Sequence, residues 1–372
     1  MRYVLPGVQL ESEYPLDSFC AFIAEEHSDL PLSVLTVRYE PYSPGEVLFS
    51  AEHNDIHVAA LADGWLYLLA GTDDYALHVS RDYRQLTAYV ADTTLHQDKL
   101  LPLIRMALEC ASVSQGVLSL HSSCVELDGQ AVCFTAASGT GKSTRARSWN
   151  SGLGARMISG DRPSVCLKKN GVFVSGVPWD GKEQIYINVS VPLRTICSIR
   201  RGNRTYVRHL SPNQARRLLL QQCFIPMWDT DTAAAAMMLI RKLCSSVPVY
   251  RVTCGPDEAA AKEVRDLVFH HPDLILEVEQ DMKIKSGFTL RHMLGEHIVM
   301  PTGKNISRFD GAIVLNDVSA FIWEKLSEGC SREELVEDIL SEFEVDREKA
   351  ETDLDALLEK FRGYGVMEEE SV

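Results

Sequence analysis

The chain has 372 residues, 45% of them hydrophobic and 24% charged, with a formal net charge of −15. That length allows two or three domains, and the composition is that of a soluble globular protein rather than a disordered or fibrous one. The acidic balance argues against nucleic acid as the main partner, and no uninterrupted apolar run reaches the roughly 18 residues that a membrane span needs.

Met1 to Pro6, followed by Glu11, Glu13 and Asp17, lacks the apolar core of a signal peptide, so a cytoplasmic location is expected. Ten cysteines are scattered, with no C-x-x-C pair and no zinc spacing. Several, such as Cys133 and Cys197, sit inside apolar runs and read as buried free thiols. Residues 1–95 alternate apolar and polar residues over short stretches, Ser33–Tyr39, Asp55–Ala62, Trp65–Leu69 and Ala76–Ser80 among them. This pattern predicts an antiparallel β-rich domain with one early helix near Leu16–Glu26, and it carries no catalytic constellation. A helix over Lys99–Ser112 then leads into a middle region, residues 96–272.

In that region two β-favouring runs, Gly116–Leu127 and Gln130–Thr135, are joined by Asp128-Gly129, the signature of a type I′ hairpin. The second run feeds Ala136-Ala-Ser-Gly-Thr-Gly-Lys-Ser-Thr144. A strand, a Gly-rich loop, Lys-Ser and then a helix is the layout of a phosphate-binding P-loop. The amides of Ser138, Gly139, Thr140 and Gly141 can turn inward as an anion nest, and the helix over Lys142–Ser151 presents its positive end to the same charge. Lys142 would place a point charge on the terminal phosphates, Ser143 a hydroxyl on Mg²⁺, and Thr144 closes the motif. Ala136 stands where the pattern asks for glycine. The motif implies nucleotide binding and does not separate kinase, hydrolase and switch.

Arg156–Ser159 reads as a strand leading to Gly160-Asp161, with further strands at Ser164–Leu167, Val172–Gly176 and Leu193–Ile199. Amphipathic helices are predicted over Pro212–Gln222, Thr232–Cys244 and Pro256–His270. No acid lies between Glu183 and Asp229, while Arg194, Arg200, Arg201, Arg204, Arg208, Arg216 and Arg217 do. Two readings stand for this segment: a surface for an anionic ligand or acidic peptide, or a basic face whose arginines pack on acidic neighbours.

The last part, residues 281–370, begins with two strand-like runs around Gly295 and a short strand, Ala312–Leu315. Three helices follow, Asp317–Ser327, Ser331–Phe343 and Asp346–Arg362, the second opened by the capping box Ser331-Arg-Glu-Glu334. Residues 281–372 carry 11 Lys/Arg against 21 Asp/Glu.

Leu120-His-Ser-Ser-Cys-Val-Glu-Leu-Asp-Gly129, Ala137-Ser-Gly-Thr-Gly-Lys-Ser-Thr144 and Arg156-Met-Ile-Ser-Gly-Asp161 together resemble the HPr kinase/phosphorylase fold, over about residues 115–270. That P-loop architecture is shared with phosphoenolpyruvate carboxykinase, and its members include kinases that phosphorylate serine on a small protein or a modified peptide. The resemblance implies that Lys142 and the loop amides hold the β- and γ-phosphates and Ser143 the Mg²⁺. Asp161 would accept the substrate hydroxyl's proton or bind metal. The HPr kinases carry two adjacent aspartates at this turn, and the first slot here is Gly160, so either Asp161 does both jobs or the base comes from elsewhere. His121 matches the family's strand histidine; it pairs with Asp161, approaches a phosphate, or is a packed, hydrogen-bonded histidine. By position Glu183, ahead of Asp180, fits a glutamate that helps to hold the metal, and Lys182 would neutralise transition-state charge. Trp179 either covers a base or peptide side chain or is packed under an exposed turn.

Val314-Leu-Asn-Asp-Val-Ser-Ala-Phe-Ile-Trp-Glu-Lys-Leu326, Glu337–Asp346, Ala350–Leu358 and Gly363-Tyr-Gly-Val366 resemble a PqqD-like domain. Such domains are small winged-helix-like folds that bind the leader of a ribosomally made precursor peptide. The resemblance implies strand addition along Ala312, Ile313, Val314 and Leu315, with leader side chains falling beside the last helix. The implied protein is an α/β multidomain chain: an N-terminal β-rich domain, an HPr kinase-like P-loop core and a C-terminal PqqD domain. The implied activity is an ATP/Mg²⁺-dependent kinase for a Ser or Thr of the precursor peptide, in a homo-oligomer if it assembles as HPr kinases do. The alternative is a leader-binding chaperone with a nucleotide-sensing, non-transferring P-loop domain that delivers peptide to a partner modifying enzyme.

Overall fold

The computed structural model describes the chain except for residues 25–27, 43–48, 54, 73, 92–94, 138, 180–183, 202–204, 256, 273–281, 294, 304, 306–310 and 369–372. Two compact units result. The first comprises Met1–Ile199, His209–Val252 and Pro256–His270, and the second Arg200–Arg208, Thr253–Gly255 and His271–Val372.

The first unit opens with β1 (Arg2–Leu5), β2 (Val8–Ser12), β3 (Leu32–Arg38), β4 (Phe49–His53), β5 (Ile56–Ala60), β6 (Gly64–Leu69), β7 (Tyr75–Ser80) and β8 (Gln85–Val90). They form one eight-stranded sheet in the order β1-β2-β3-β8-β7-β6-β5-β4. The sheet is mixed rather than antiparallel, because β3 runs parallel to both β2 and β8. Alternation in a sequence fixes which side chains share a face, not which way a neighbour runs. The expected early helix is a 3₁₀ turn over Asp17–Phe22 that buries Phe19 and Phe22.

Helix α1 (Gln97–Val113) lays Leu103, Ile104 and Ala107 into the core of this sheet. Val177, Trp179, Phe224 and Trp228, from far later in the chain, complete the same core. Trp179 is only 6% exposed and lies 6.3 Å from the Phe19 ring, so it is a packed core residue.

A second sheet follows: β9 (Val117–Ser119), β10 (Ser122–Leu127), β11 (Gln130–Thr135), β12 (Arg156–Ser159), β13 (Ser164–Lys168), β14 (Gly171–Ser175), β15 (Ser190–Arg201), β16 (Tyr206–His209) and β17 (Val249–Cys254). The order is β12-β10-β11-β15-β14-β13-β9, with β17 joining β15 and β16 joining β17. The β10–β11 turn is the predicted hairpin: Asp128 and Gly129 have φ of 50° and 74°, both positive as a type I′ turn requires. Cys133 and Cys197 are buried free thiols, as expected. The helices are α2 (Lys142–Leu153), α3 (Pro212–Gln222), α4 (Thr230–Ser246) and α5 (Glu258–Phe269). Asp229 caps α4 and binds the earlier sheet as well: it accepts from Thr232 N at 3.2 Å, Thr232 Oγ1 at 2.6 Å and Tyr83 OH at 2.6 Å. Arg194, the first arginine of the basic segment, donates to the Val268 carbonyl at 3.3 Å and lies over the Phe269 ring.

In the second unit, β18 (Phe288–Met293), β19 (Glu296–Pro301) and β20 (Ile313–Leu315) form an antiparallel sheet in that order, followed by α6 (Asp317–Glu328), α7 (Arg332–Glu342) and α8 (Arg347–Gly363). Val299, Ile313, Leu315, Trp323, Leu335 and Phe361 make its core, with Trp323 edge-on to Phe361 at 5.3 Å. Two arginines of the basic segment are internal to this unit. Arg208 and Glu334, both fully buried, pair at 2.9 Å. Arg200 pairs at 3.2 Å with Asp338, which also holds Lys325 at 3.2 Å. The reading of the segment as an anion-binding surface therefore fails at Arg200 and Arg208, whose charges are met by carboxylates. Arg216 and Arg217 are exposed, and Arg204 lies outside the described residues.

Candidate functional site

The hairpin delivers the loop. β10 and β11 pair from Ser122↔Thr135 to Leu127↔Gln130, so the end of β11 and the residues just before β10 stand side by side. Thr135 Oγ1 donates to the His121 carbonyl at 2.9 Å, and the His121 amide donates to the Gln222 carbonyl at 2.8 Å. The start of the hairpin is thereby fastened to the end of α3.

After β11 the backbone turns at Gly139, with φ of +79°, and at Gly141, with φ of +111°. A side chain would strain either position. A Cβ placed on Gly139 would meet no heavy atom within 4 Å, so the glycine serves backbone conformation and leaves open space in front of the loop. Gly141 is the N-cap of α2 and supplies no side-chain cap. By contrast Ser211, Asp229, Asp257, Asn316, Ser331 and Asp346 each cap their helix with a side-chain oxygen. The first turn of α2 thus offers its positive end to an outside anion.

Lys142 and Ser143 are half-buried on that turn and Thr144 is exposed. The Lys142 ammonium donates to the Ala136 carbonyl at 3.1 Å. Burial holds it below the usual lysine value, with Asp161 opposing the shift and Arg162 adding to it. Ser143 Oγ lies 3.3 Å from Ser123 Oγ, and Ser123 Oγ donates to the Gly160 carbonyl at 2.8 Å. Asp161 Oδ1 stands 3.8 Å from His121 Nε2, too far for a hydrogen bond. Burial, then the Lys142 charge, lower the His121 pKa against the pull of Asp161, so the imidazole is neutral near neutral pH. Arg162, next to Asp161, has φ of 52°, a left-handed conformation uncommon outside glycine.

The fold therefore brings Lys142, Ser143, Asp161 and His121 together around one loop. Ser138, Asp180, Lys182 and Glu183 lie outside the described residues. Sequence reasoning missed Ser123 and Arg162. Ser123 is the second residue of β10, two after His121, and nothing in its spacing marks it. A hydroxyl and a carboxylate suit a hard cation such as Mg²⁺, which takes only one or two protein oxygens beside phosphates and water. No group of three or more His, Cys, Asp or Glu side chains converges among the described residues. The open cradle and the desolvated Lys142 likewise fit a phosphate chain.

In the second unit β20 is the end strand of its sheet. Ile313 and Leu315 point into the core, while Val314 is 60% exposed. Ala312, expected to begin the strand, is exposed just ahead of it. The outer face continues through Ile298, paired with Val314, and Met300, which is exposed. Among the described residues no helix is long and apolar enough to cross a membrane.

No curated protein matches the chain. Similar solved structures include TbiB1 in complex with the TbiA(beta) leader peptide, 27% identical, covering 24% of this chain and 99% of that one at a TM-score of 0.21. A lasso peptide synthetase B1 complexed with the leader peptide is 23% identical, with 24% and 98% covered and a TM-score of 0.21. The Hpr(Ser) kinase/phosphatase from Coxiella burnetii is 12% identical, with 41% and 90% covered and a TM-score of 0.25. Residues 296–367 match the family described as Coenzyme PQQ synthesis protein D (PqqD), and the C-terminal part of this mixed α/β chain is a PqqD domain.

Proposed function

We propose that the chain is an ATP- and Mg²⁺-dependent kinase that phosphorylates a Ser or Thr hydroxyl of a ribosomally synthesised precursor peptide, whose leader is held by the PqqD domain. The observation that carries this reading is the pairing, in one chain, of a P-loop with Lys142 and Ser143 gathered beside Asp161 and a PqqD domain with an end strand at Ile313–Leu315. On this reading the Gly139–Gly141 amides and Lys142 bind the β- and γ-phosphates, and Ser143 and Asp161 would hold Mg²⁺, which supplies charge neutralisation at the phosphates. Asp161 also accepts the proton of the peptide hydroxyl. The new O–P bond forms as the bond from the γ-phosphorus to the bridging oxygen breaks, and ADP departs. Phosphoryl transfer asks little covalent help from a protein, only in-line positioning and nearby cations. His121, with Nε2 3.8 Å from Asp161 Oδ1, stands beside the carboxylate and would approach a phosphate of the bound nucleotide. A leader lying along Ala312–Leu315 tethers its own core peptide and raises its local concentration at the P-loop.

Gly160, in the slot where a second carboxylate is expected, favours a second reading: a leader-binding chaperone whose P-loop senses nucleotide without transfer. Intact-mass measurement of a precursor peptide incubated with the full chain, ATP and Mg²⁺ separates the two. Gain of one phosphoryl group, lost in Asp161→Asn, is the kinase result. Leader and ATP binding without any mass gain is the chaperone result.

A further inference from the structure

Ser123 is fully buried on β10. Its strand lies between β12, whose end carries Gly160 and Asp161, and β11, which feeds the loop. Its Oγ is 2.8 Å from the Gly160 carbonyl oxygen and 3.3 Å from Ser143 Oγ. A serine hydroxyl owns one hydrogen. The carbonyl only accepts, so the Ser123 hydrogen goes to Gly160, and in the other contact Ser143 must be the donor. Ser143 Oγ has no other hydrogen bond among the described residues. Its single hydrogen therefore points back at Ser123, and its lone pairs are turned away. At 3.3 Å this contact is longer than an ordinary O–H···O bond, so what it contributes is direction more than energy.

We infer that Ser123 is a positioning residue: it fixes Ser143 as a pure acceptor for a divalent cation at the P-loop and ties that oxygen to the Gly160-Asp161 turn. The inference rests on the nucleotide and metal part of the proposed function. A free Ser143 hydroxyl samples several rotamers before a cation binds, and only some of them present a lone pair to it. Donation to a buried Ser123 removes that choice before the cation arrives. The same Ser123 hydroxyl anchors the carbonyl adjacent to Asp161, so both oxygens suited to the cation are registered against one buried group. Supporting residues of this kind orient a metal's direct ligands without touching the metal.

The test is isothermal titration of the full chain with ADP, in Mg²⁺ and separately in EDTA, for the wild type, Ser123→Ala and Ser123→Thr. In wild type, Mg²⁺ should tighten ADP binding. Ser123→Ala should lose roughly tenfold of that Mg²⁺-dependent gain while its affinity in EDTA stays within about twofold of wild type. Ser123→Thr keeps the hydroxyl and should keep the gain. The inference is overturned if Ser123→Ala retains the gain, if it weakens ADP equally with and without Mg²⁺, or if Ser123→Thr falls with it. Failure of wild type to bind ADP under either condition overturns the proposed function and this inference with it.

Discussion

Two sets of cations in this molecule meet opposite fates. Lys142, at the P-loop, is half-buried and has no carboxylate within ion-pair distance among the described residues; it donates to a carbonyl, and burial drags its pKa down. Arg200 and Arg208, in the segment that looks most like an anion site by charge alone, are matched to Asp338 and Glu334. A buried charge costs free energy unless it is paired. A matched arginine has its counter-ion inside the protein and does not need a ligand. A desolvated lysine on an uncapped helix end has no such counter-ion among the described residues and is the better candidate for one from outside. Charge density in a sequence is thus a poorer guide to a binding site than charge left without a partner of opposite sign.

The sharpest way to break this contrast is Arg208→Ala, which strands the Glu334 carboxylate. We expect a loss of about 3–5 kcal/mol in urea unfolding, with ADP affinity unchanged. Arg208→Met combined with Glu334→Gln, which preserves the capping box on α7, should recover most of it. A loss below about 1 kcal/mol for the single variant would mean that the pair is not sealed from water. Next in size is Lys142→Met. Phosphoryl transfer to the precursor peptide should fall more than about a hundredfold, as when one charge-stabilising donor is removed from an active site. The urea midpoint should hold or rise, because a desolvated charge is gone. Unfolding together with inactivity would place Lys142 among the structural cations instead.

Val314 extends the logic to apolar groups, being 60% exposed on an end strand. Val314→Asp should weaken a fluorescently labelled leader about tenfold, or ~1.4 kcal/mol, in an anisotropy titration, with little change in stability. Wild-type affinity in that variant would remove the strand from the docking surface. The smallest effect concerns the exposed Arg332–Asp355 pair, joined at 2.8 Å. Arg332 holds the Asp355 carboxyl below its usual range. The folded chain therefore binds this proton less readily than the unfolded one, and the contribution is present above the ordinary carboxylate pKa of ~3.9 and lost as pH falls through the lower folded value. Asp355→Asn should flatten the acid limb of the stability curve by under about 0.5 kcal/mol, and added salt should shrink the difference further.

The elements with local signals were legible before any coordinates. Asp128-Gly129 announced its turn, Gly139 to Ser143 the loop, and Ser331 with Glu334 the capping box on α7. Helix α3 begins and ends as predicted, at Pro212 and Gln222. Strands β1, β2, β8, β16 and β17 were not read: Arg2–Leu5 and Tyr206–His209 carry too few alternations to stand out, whereas Gln85–Val90 alternates over six residues and its signal was there. The parallel pairings of β3 depend on long connections that leave no mark on the strand itself. In the site, the P-loop residues were visible because backbone chemistry dictates their types. Ser123 was not, because a buried serine earns its role only from what two distant turns bring to it. The partners of Arg200 and Arg208 lie more than a hundred residues away, and nothing in the spacing of the arginines points to them.

Asp229 bears on how this protein can be divided. Its carboxylate serves α4 and, through Tyr83, the eight-stranded sheet, while Trp179, Phe224 and Trp228 plug the core of that sheet from the far side of the P-loop sequence. A recombination breakpoint near residue 95 would cut through one interior rather than between two. The sheet side would be left with an unfilled hole, and the other side with bare aromatic rings and a carboxylate short of a donor. The N-terminal strands and the P-loop part therefore fold around one shared interior, and neither keeps its core without the other.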